Sequence, residues 1–133
     1  MKLNEILNIE IIVKLHDTVI ELFGGAKGVH NKTMILSALA NPLQTFAGQE
    51  LYPTPIEKAG IVFFTLIKNH GFVDGNKRTA CLMLNLILNI YGYKLKVSNL
   101  KMENLALKTA NSKVSKEKLF LWIYHNIEYI IQK

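Results

Sequence analysis

The sequence predicts an all-α chain folded as one domain over residues 1–133, and three observations carry that expectation. A length of 133 residues suits one domain, which at this size buries roughly two-thirds of its unfolded surface. Apolar residues recur at helical spacing in segment after segment, between Asn or Ser caps and Gly or Pro stops. The β-prone pieces, Thr45-Phe46 and Leu51-Tyr52, sit in one short stretch from Leu43 to Pro55, too little for a sheet core.

Taken in order, Asn8 caps a helix running to Phe23, with Ile12, Leu15, Val19 and Leu22 at helical spacing, and Gly24-Gly25 stop it. His16 and Asp17 ride on this helix, where a structural hydrogen bond is the expected role of the imidazole. His30 precedes a second helix, capped by Asn31 and closed by Asn41-Pro42. From Ile56 to Asn69 the chain is apolar on nearly every side, the mark of a helix surrounded by others. Arg78 to Tyr91 reads the same way. After Gly92, Ser98 caps a helix to about Ala110. Ser115 caps another in which Leu119, Ile123, Ile127 and Ile130 form a stripe. Trp122 reads as packing and His125 as surface. No internal repeat or low-complexity linker is present.

Between the two most apolar helices lies His70-Gly-Phe-Val-Asp-Gly-Asn-Lys-Arg-Thr-Ala80, a mixture for which a core has no use. The first N–H groups of a helix lack internal partners and stand at the positive end of its dipole, so this junction outlines an anion site. Gly75 permits close approach and φ > 0, which can turn successive N–H groups into a concave nest. Asn76, Lys77 and Arg78 add donors and charge. Arg78 is the one arginine beside fifteen lysines, which points to a need for the planar fork that grips phosphate oxygens in pairs. Asp74, one of two aspartates, would repel a phosphate unless a magnesium ion lay between them, held by the carboxylate and the substrate's phosphates. His70 supplies an imidazole, suited to take a proton from an attacking hydroxyl near neutral pH. Phe72 reads as the inward anchor of the loop. Each residue also has a plainer role: His70 as a helix-end cap, Asp74 as an N-cap, Lys77 and Arg78 as a solvated first turn. The ordered set favours a phosphate site. A P-loop is rejected, since Asn76 separates Gly75 from Lys77 and no β-strand precedes.

The stretch resembles the Fic/Doc family, whose signature begins His, any residue, Phe, any residue, Asp or Glu, then Gly-Asn or Ala-Asn. Asp74-Gly-Asn-Lys-Arg-Thr-Ala80 is similar to the Doc, death-on-curing, toxin branch of type II toxin–antitoxin systems. Leu22-Phe23-Gly24-Gly25, Leu36-Ser-Ala-Leu-Ala-Asn-Pro42, Leu51-Tyr52-Pro53 and Leu66-Ile-Lys-Asn-His70 extend the likeness over roughly residues 8 to 125. The resemblance implies a Fic-fold helical bundle with a small β-hairpin flap near Leu43 to Pro55 that holds a target protein's backbone. The plainer alternative is a surface loop with Phe46 and Tyr52 tucked into the core. It implies ATP and Mg²⁺ as cofactors, with His70, Asp74, Lys77 and Arg78 catalytic, Asp74 on the metal, and Gly75, Asn76, Lys77 and Arg78 on the nucleotide's phosphates. Fic enzymes that transfer AMP typically carry Gly after the Asn and a second Arg three residues beyond the first; Lys77 and Cys81 stand there instead. Both departures agree with Doc toxins, which transfer the terminal phosphate to a threonine of elongation factor Tu and arrest translation. AMP transfer and an inactive Fic-fold binding module remain the alternatives. Gly71, where many relatives have proline, is expected to loosen the loop slightly.

Composition bounds the rest. With 50% hydrophobic and 20% charged residues the chain is an ordinary globular protein. The single cysteine, Cys81, leaves no internal disulfide framework and reads as a small core residue. Glu5, Glu10 and Lys14 interrupt any N-terminal targeting segment, and Ala80 to Tyr91 is too short to span a bilayer, so a cytoplasmic location without membrane contact is expected. Formal charge is +6, with seven lysines against two glutamates between Lys94 and Lys118. A solvated face is the simpler reading. Nucleic acid is disfavoured, because aromatic residues do not interleave with these lysines and arginine is absent there. No Ser or Thr has Glu four residues later, the inhibitory spacing found in many Fic proteins, so an antitoxin acting in trans is expected, acidic enough to meet the lysine-rich half. A helical ribonuclease needs His within six residues after Arg78, and a zinc protease needs His-Glu-x-x-His; neither is present.

Overall fold

A computed structural model describes residues 1–130, so the last three residues of the expected 1–133 domain, and nothing else of it, lie outside the described residues. The order is α1 (Leu3–Ile6), α2 (Ile9–Phe23), α3 (Lys32–Ala40), a 3₁₀ turn (Asn41–Leu43), β1 (Thr45–Phe46), β2 (Gln49–Glu50), α4 (Pro55–Asn69), α5 (Asn76–Ile90), β3 (Tyr93–Leu95), α6 (Asn99–Ala110), α7 (Lys116–His125) and β4 (Ile127–Tyr129). The all-α expectation holds, with two small two-stranded sheets beside the helices.

Local chemistry sets the helix starts. The side chains of Asn8, Asn31, Ser98 and Ser115 each accept from backbone N–H groups two or three residues on. Thr54 caps α4, its hydroxyl accepting Glu57 N–H at 3.2 Å and donating to the Glu57 carboxylate at 2.8 Å. That cap, with Pro55 in the first turn, starts α4 one residue earlier than the apolar run suggests. Among the described helices longer than one turn, α5 alone begins without a side-chain cap: its N-cap is Gly75.

The antiparallel pair α4 and α5 forms the centre, as the apolar wrapping of both segments requires. Phe63, Ile61, Val62, Met83, Leu84, Ile87 and Leu88 are fully buried there. The other helices pack around them in one cluster, to which Trp122 contributes a half-buried ring. Gly60 admits α7 closely, since a Cβ at that position would lie 2.7 Å from the Phe120 ring.

Two expectations change. On α2 the buried face is Ile12, His16, Val19 and Ile20, while Leu22 is 72% exposed, on an open groove that it lines with Leu15, Leu82 and Met102. The stripe after Ser115 ends at His125: Ile127 belongs to β4, which pairs antiparallel with β3 in the register Tyr93↔Tyr129, Lys94↔Glu128, Leu95↔Ile127. Ile130 follows that strand and lies outside any helix.

The stretch before α4 forms a hairpin, with Thr45↔Glu50 and Phe46↔Gln49 paired across Ala47-Gly48, both at positive φ as a tight hairpin turn requires. Phe46 is 75% exposed at its tip, contrary to the core placement. Tyr52 is half-buried, edge-on to Phe120. Lys58 of α4 is buried beneath the hairpin, its ammonium donating to the carbonyls of Tyr52 (2.6 Å) and Pro42 (3.3 Å) and to the Glu50 carboxylate (2.9 Å).

Candidate active site

The polar stretch is the link from α4 to α5 together with the first turn of α5. His70 ends α4 in the left-handed region (φ 50°, ψ 51°), and its side chain is exposed. The chain then dives inward: Gly71 and Phe72 are buried, and Phe72 bridges to Val29 in the segment after α2. The carbonyl of Gly71 accepts from His30 N–H (2.8 Å) and Asn31 N–H (2.9 Å), and the carbonyl of Gly28 accepts from Val73 N–H (3.1 Å). Gly71 does not loosen the loop; a Cβ there would lie 2.5 Å from Ile35, so glycine permits the tight seat against α3.

Asn76 closes the loop on itself. Its amide accepts from Phe72 N–H at 3.0 Å and donates to Phe72 C=O at 2.9 Å, so a buried side chain locks the chain four residues back. The amide oxygen and one Nδ2 proton are thereby used internally, and the backbone N–H of Asn76 stays without an internal partner. Asp74 does not cap α5; its Oδ2 accepts from Ala26 N–H at 2.9 Å, and Oδ1 has no protein partner among the described residues. Gly75 takes φ +76° and turns the chain into α5. The backbone N–H groups of Gly75, Asn76, Lys77 and Arg78 make no non-helical hydrogen bond among the described residues.

These groups converge. Asp74, Gly75, Asn76, Lys77 and Arg78 line one pocket of about 240 Å³, closed on the far side by Val19, Phe23, Gly24 and Gly25. Lys77 and Arg78 both contribute to this lining, and both also border the neighbouring surface groove beside Cys81 and Glu103. The Arg78 guanidinium lies 4.2 Å from the centroid of the Phe23 ring, a cation–π contact that limits its rotamers. Neither Lys77 nor Arg78 has a carboxylate partner among the described residues. His70 is not part of the pocket lining; it stands exposed at the other end of the loop, without a hydrogen bond among the described residues. Next to the pocket, Leu22, Leu15, Leu82 and Met102 line an open groove of about 470 Å³ that also meets Arg78 and Cys81. The Cys81 thiol is pushed up to about 11 by burial, with Glu103 adding to the effect, so it brings no charge to the site.

Sequence reading missed two supports, Phe23 and the Ala26 amide, and the partner of a third, His16. Phe23, His16 and the Ala26 amide lie 48 to 58 residues from the groups they touch, and their signal was limited to a Gly-Gly pair after a helix. His16 makes the structural hydrogen bond expected of it, with the Asp74 carbonyl at 2.6 Å.

Fold and pocket define a class: a helical domain that presents an uncapped helix start, two free cations and a carboxylate around one anion-sized space. The Fic/DOC family profile matches residues 6–88, more than half of the 133-residue chain, and the chain belongs to that family, as the resemblance of His70 to Ala80 led us to expect. "Toxin Doc" of Mycolicibacterium smegmatis (strain ATCC 700084 / mc(2)155) is 38% identical over 73 residues, 55% of this chain and 56% of that protein. "Protein adenylyltransferase fic-1" of Caenorhabditis briggsae and of Caenorhabditis elegans is 51% identical over 39 residues, 29% of this chain and 8% of theirs. The aligned stretch thus spans little more than half of the first relative and under a tenth of the other two.

Proposed function

We propose that the chain is a Doc-like toxin that transfers the γ-phosphate of ATP to a protein hydroxyl. The observation that carries this reading is the convergence of Arg78, Lys77, the free N–H groups at the start of α5 and the Asp74 carboxylate on one pocket. Mg²⁺ is commonly held by one or two carboxylates and completed by substrate phosphates and water. Asp74 fits, with Oδ1 free while Oδ2 is fixed by Ala26. When bound there, the ion would neutralise phosphate charge.

In the proposed reaction the guest hydroxyl oxygen forms a bond to the γ-phosphorus as the bond from that phosphorus to the β,γ-bridging oxygen breaks, releasing ADP. His70 accepts the hydroxyl proton and later returns it to solvent; its exposure and lack of internal partners leave the imidazole free for this. The N–H groups of Gly75 and Asn76 donate to phosphate oxygens, and Lys77 and Arg78 offset the charge that builds during transfer. The hairpin tip, with exposed Phe46, is a surface against which a target segment can be held. By resemblance, the target is a threonine of elongation factor Tu, and its modification would arrest translation in the cytoplasm. An antitoxin acting in trans restrains the activity. In support, the most extensive of the alignments reported above is to a protein named as a toxin.

A second reading, AMP transfer, is favoured by the 51% identity to two adenylyltransferases across 39 residues. Against it stands Cys81, a neutral thiol at the place where AMP-transferring members of the family typically carry a second arginine. Incubation with cell extract and ATP labelled either at the γ-phosphate or on the adenosine decides. Phosphate transfer labels protein only from the first; adenosine label on protein overturns it.

A further inference from the structure

We propose that His16 is a positioning residue that sets the peptide plane between Asp74 and Gly75 from behind, aiming the Gly75 N–H and the Asp74 carboxylate at the anion pocket. The inference rests on the reading that this pocket seats the transferred phosphate.

His16 is only 1% exposed, yet its Nε2 lies 2.6 Å from the carbonyl oxygen of Asp74. A carbonyl only accepts, so this nitrogen carries the proton and donates. The same ring stacks flat on Phe72, centroids 3.9 Å apart and planes 6° apart. One side chain of α2 therefore grips the loop at two points, residues 72 and 74. In a planar trans peptide the C=O and the following N–H point in opposite directions. Drawing the Asp74 carbonyl inward to His16 therefore turns the Gly75 N–H outward, on the side of the pocket that Gly75 lines, and this N–H has no partner among the described residues. Gly75 fits closely against this device, since a Cβ there would lie 3.0 Å from Ile20 and 3.5 Å from His16 Nε2.

The Asp74 side chain is fixed from the same quarter. Its Oδ2 accepts from Ala26 N–H, just beyond the end of α2, and a Cβ at Gly25 would stand 3.3 Å from Asp74 Cβ. Phe23, on the same helix, lies under the Arg78 guanidinium. With His16, Val19 and Phe23 at helical spacing, one face of α2 sets the carbonyl, the pocket wall and the cation together.

Two substitutions separate positioning from packing. His16→Gln retains an N–H donor near the place of Nε2, while His16→Phe retains a flat ring for Phe72 without the donor. In the transfer assay we expect His16→Phe to lower kcat by about 100-fold, the scale set by a misplacement of about 1 Å, with KM for the protein target unchanged. His16→Gln should recover to within about tenfold of the unsubstituted chain. Hydrogen exchange at the Ala26 amide gives a readout without activity: protection should fall in His16→Phe and persist in His16→Gln. Thermal melting checks folding, and should the Phe variant not fold, His16→Leu replaces it in the same comparison. Equal kcat and equal Ala26 protection in the donor and non-donor variants would overturn the inference. A failure of the unsubstituted chain to transfer phosphate sinks the functional reading instead, and Ala26 protection then decides the role of His16 alone.

Discussion

His70 holds a backbone conformation that an L-residue adopts at a cost of about 1 kcal/mol, at the one point where the chain must leave α4 and turn inward to Phe72. Glycine would meet the same need without that cost. His70→Gly should therefore raise stability by about 0.5 kcal/mol in denaturant melts while abolishing transfer, and His70→Ala should abolish transfer with the fold retained. Full activity in either variant would remove the imidazole from the proton-transfer step. Cys81, half-buried at the edge of the core rather than inside it because it lines the open groove beside Arg78, offers an independent check on the packing there. With its thiol raised from 9.0 to about 11, chiefly by burial, the thiolate fraction at pH 8 is about 100-fold lower than in the unfolded chain. Alkylation at pH 8 should be slower by at least about that factor in the folded protein; a rate like that of the unfolded chain would place Cys81 at the surface. The residues that line the candidate pocket, Asp74 to Arg78, were legible in the sequence because they are consecutive and chemically out of place between apolar runs, whereas His70 lies outside that lining. What they lean on was not, because His16 reaches Asp74 across 58 positions and nothing local to either announces the contact.

At the scale of elements, caps and stops carried most of the legible information. Asn8, Asn31, Ser98 and Ser115 each start the helix expected of them. The failures have physical causes. Ile127 falls four residues after Ile123 and so continues a helical stripe on paper, but the chain leaves the helix at Asn126 and its next residues pair with β3, a partner three residues long that alternation could not reveal. Lys58 lies within the apolar α4 segment without betraying that it holds the hairpin. Its ammonium meets two carbonyls and the Glu50 carboxylate, so Lys58→Met should cost about 2–3 kcal/mol and free the hairpin. Faster amide exchange in β1 and β2, with α4 and α5 unaffected, is the expected signature; unchanged exchange there would show the hairpin to be held by other contacts.

For the molecule as a whole, the central feature is an antiparallel helix pair whose connecting loop faces solvent at one end. The helices supply the buried area, and α2 and α3 supply the contacts that let a short polar loop stay ordered without a core of its own. Charge follows the same division: Lys94 and Lys96 share Glu128, while Lys101, Lys108, Lys113, Lys116 and Lys118 have no ion pair among the described residues, leaving that half basic. The proposed function depends most on the start of α5 acting as a phosphate seat. Titrating ¹⁵N-labelled protein with ATP and Mg²⁺ while following backbone amides tests it directly. Shifts should concentrate at Gly75, Asn76, Lys77 and Arg78, and Arg78→Ala should weaken binding by about 10- to 100-fold, the worth of one charge-assisted contact of roughly 1.5–3 kcal/mol. Shifts confined to other parts of the surface, or the same affinity without Arg78, would contradict it.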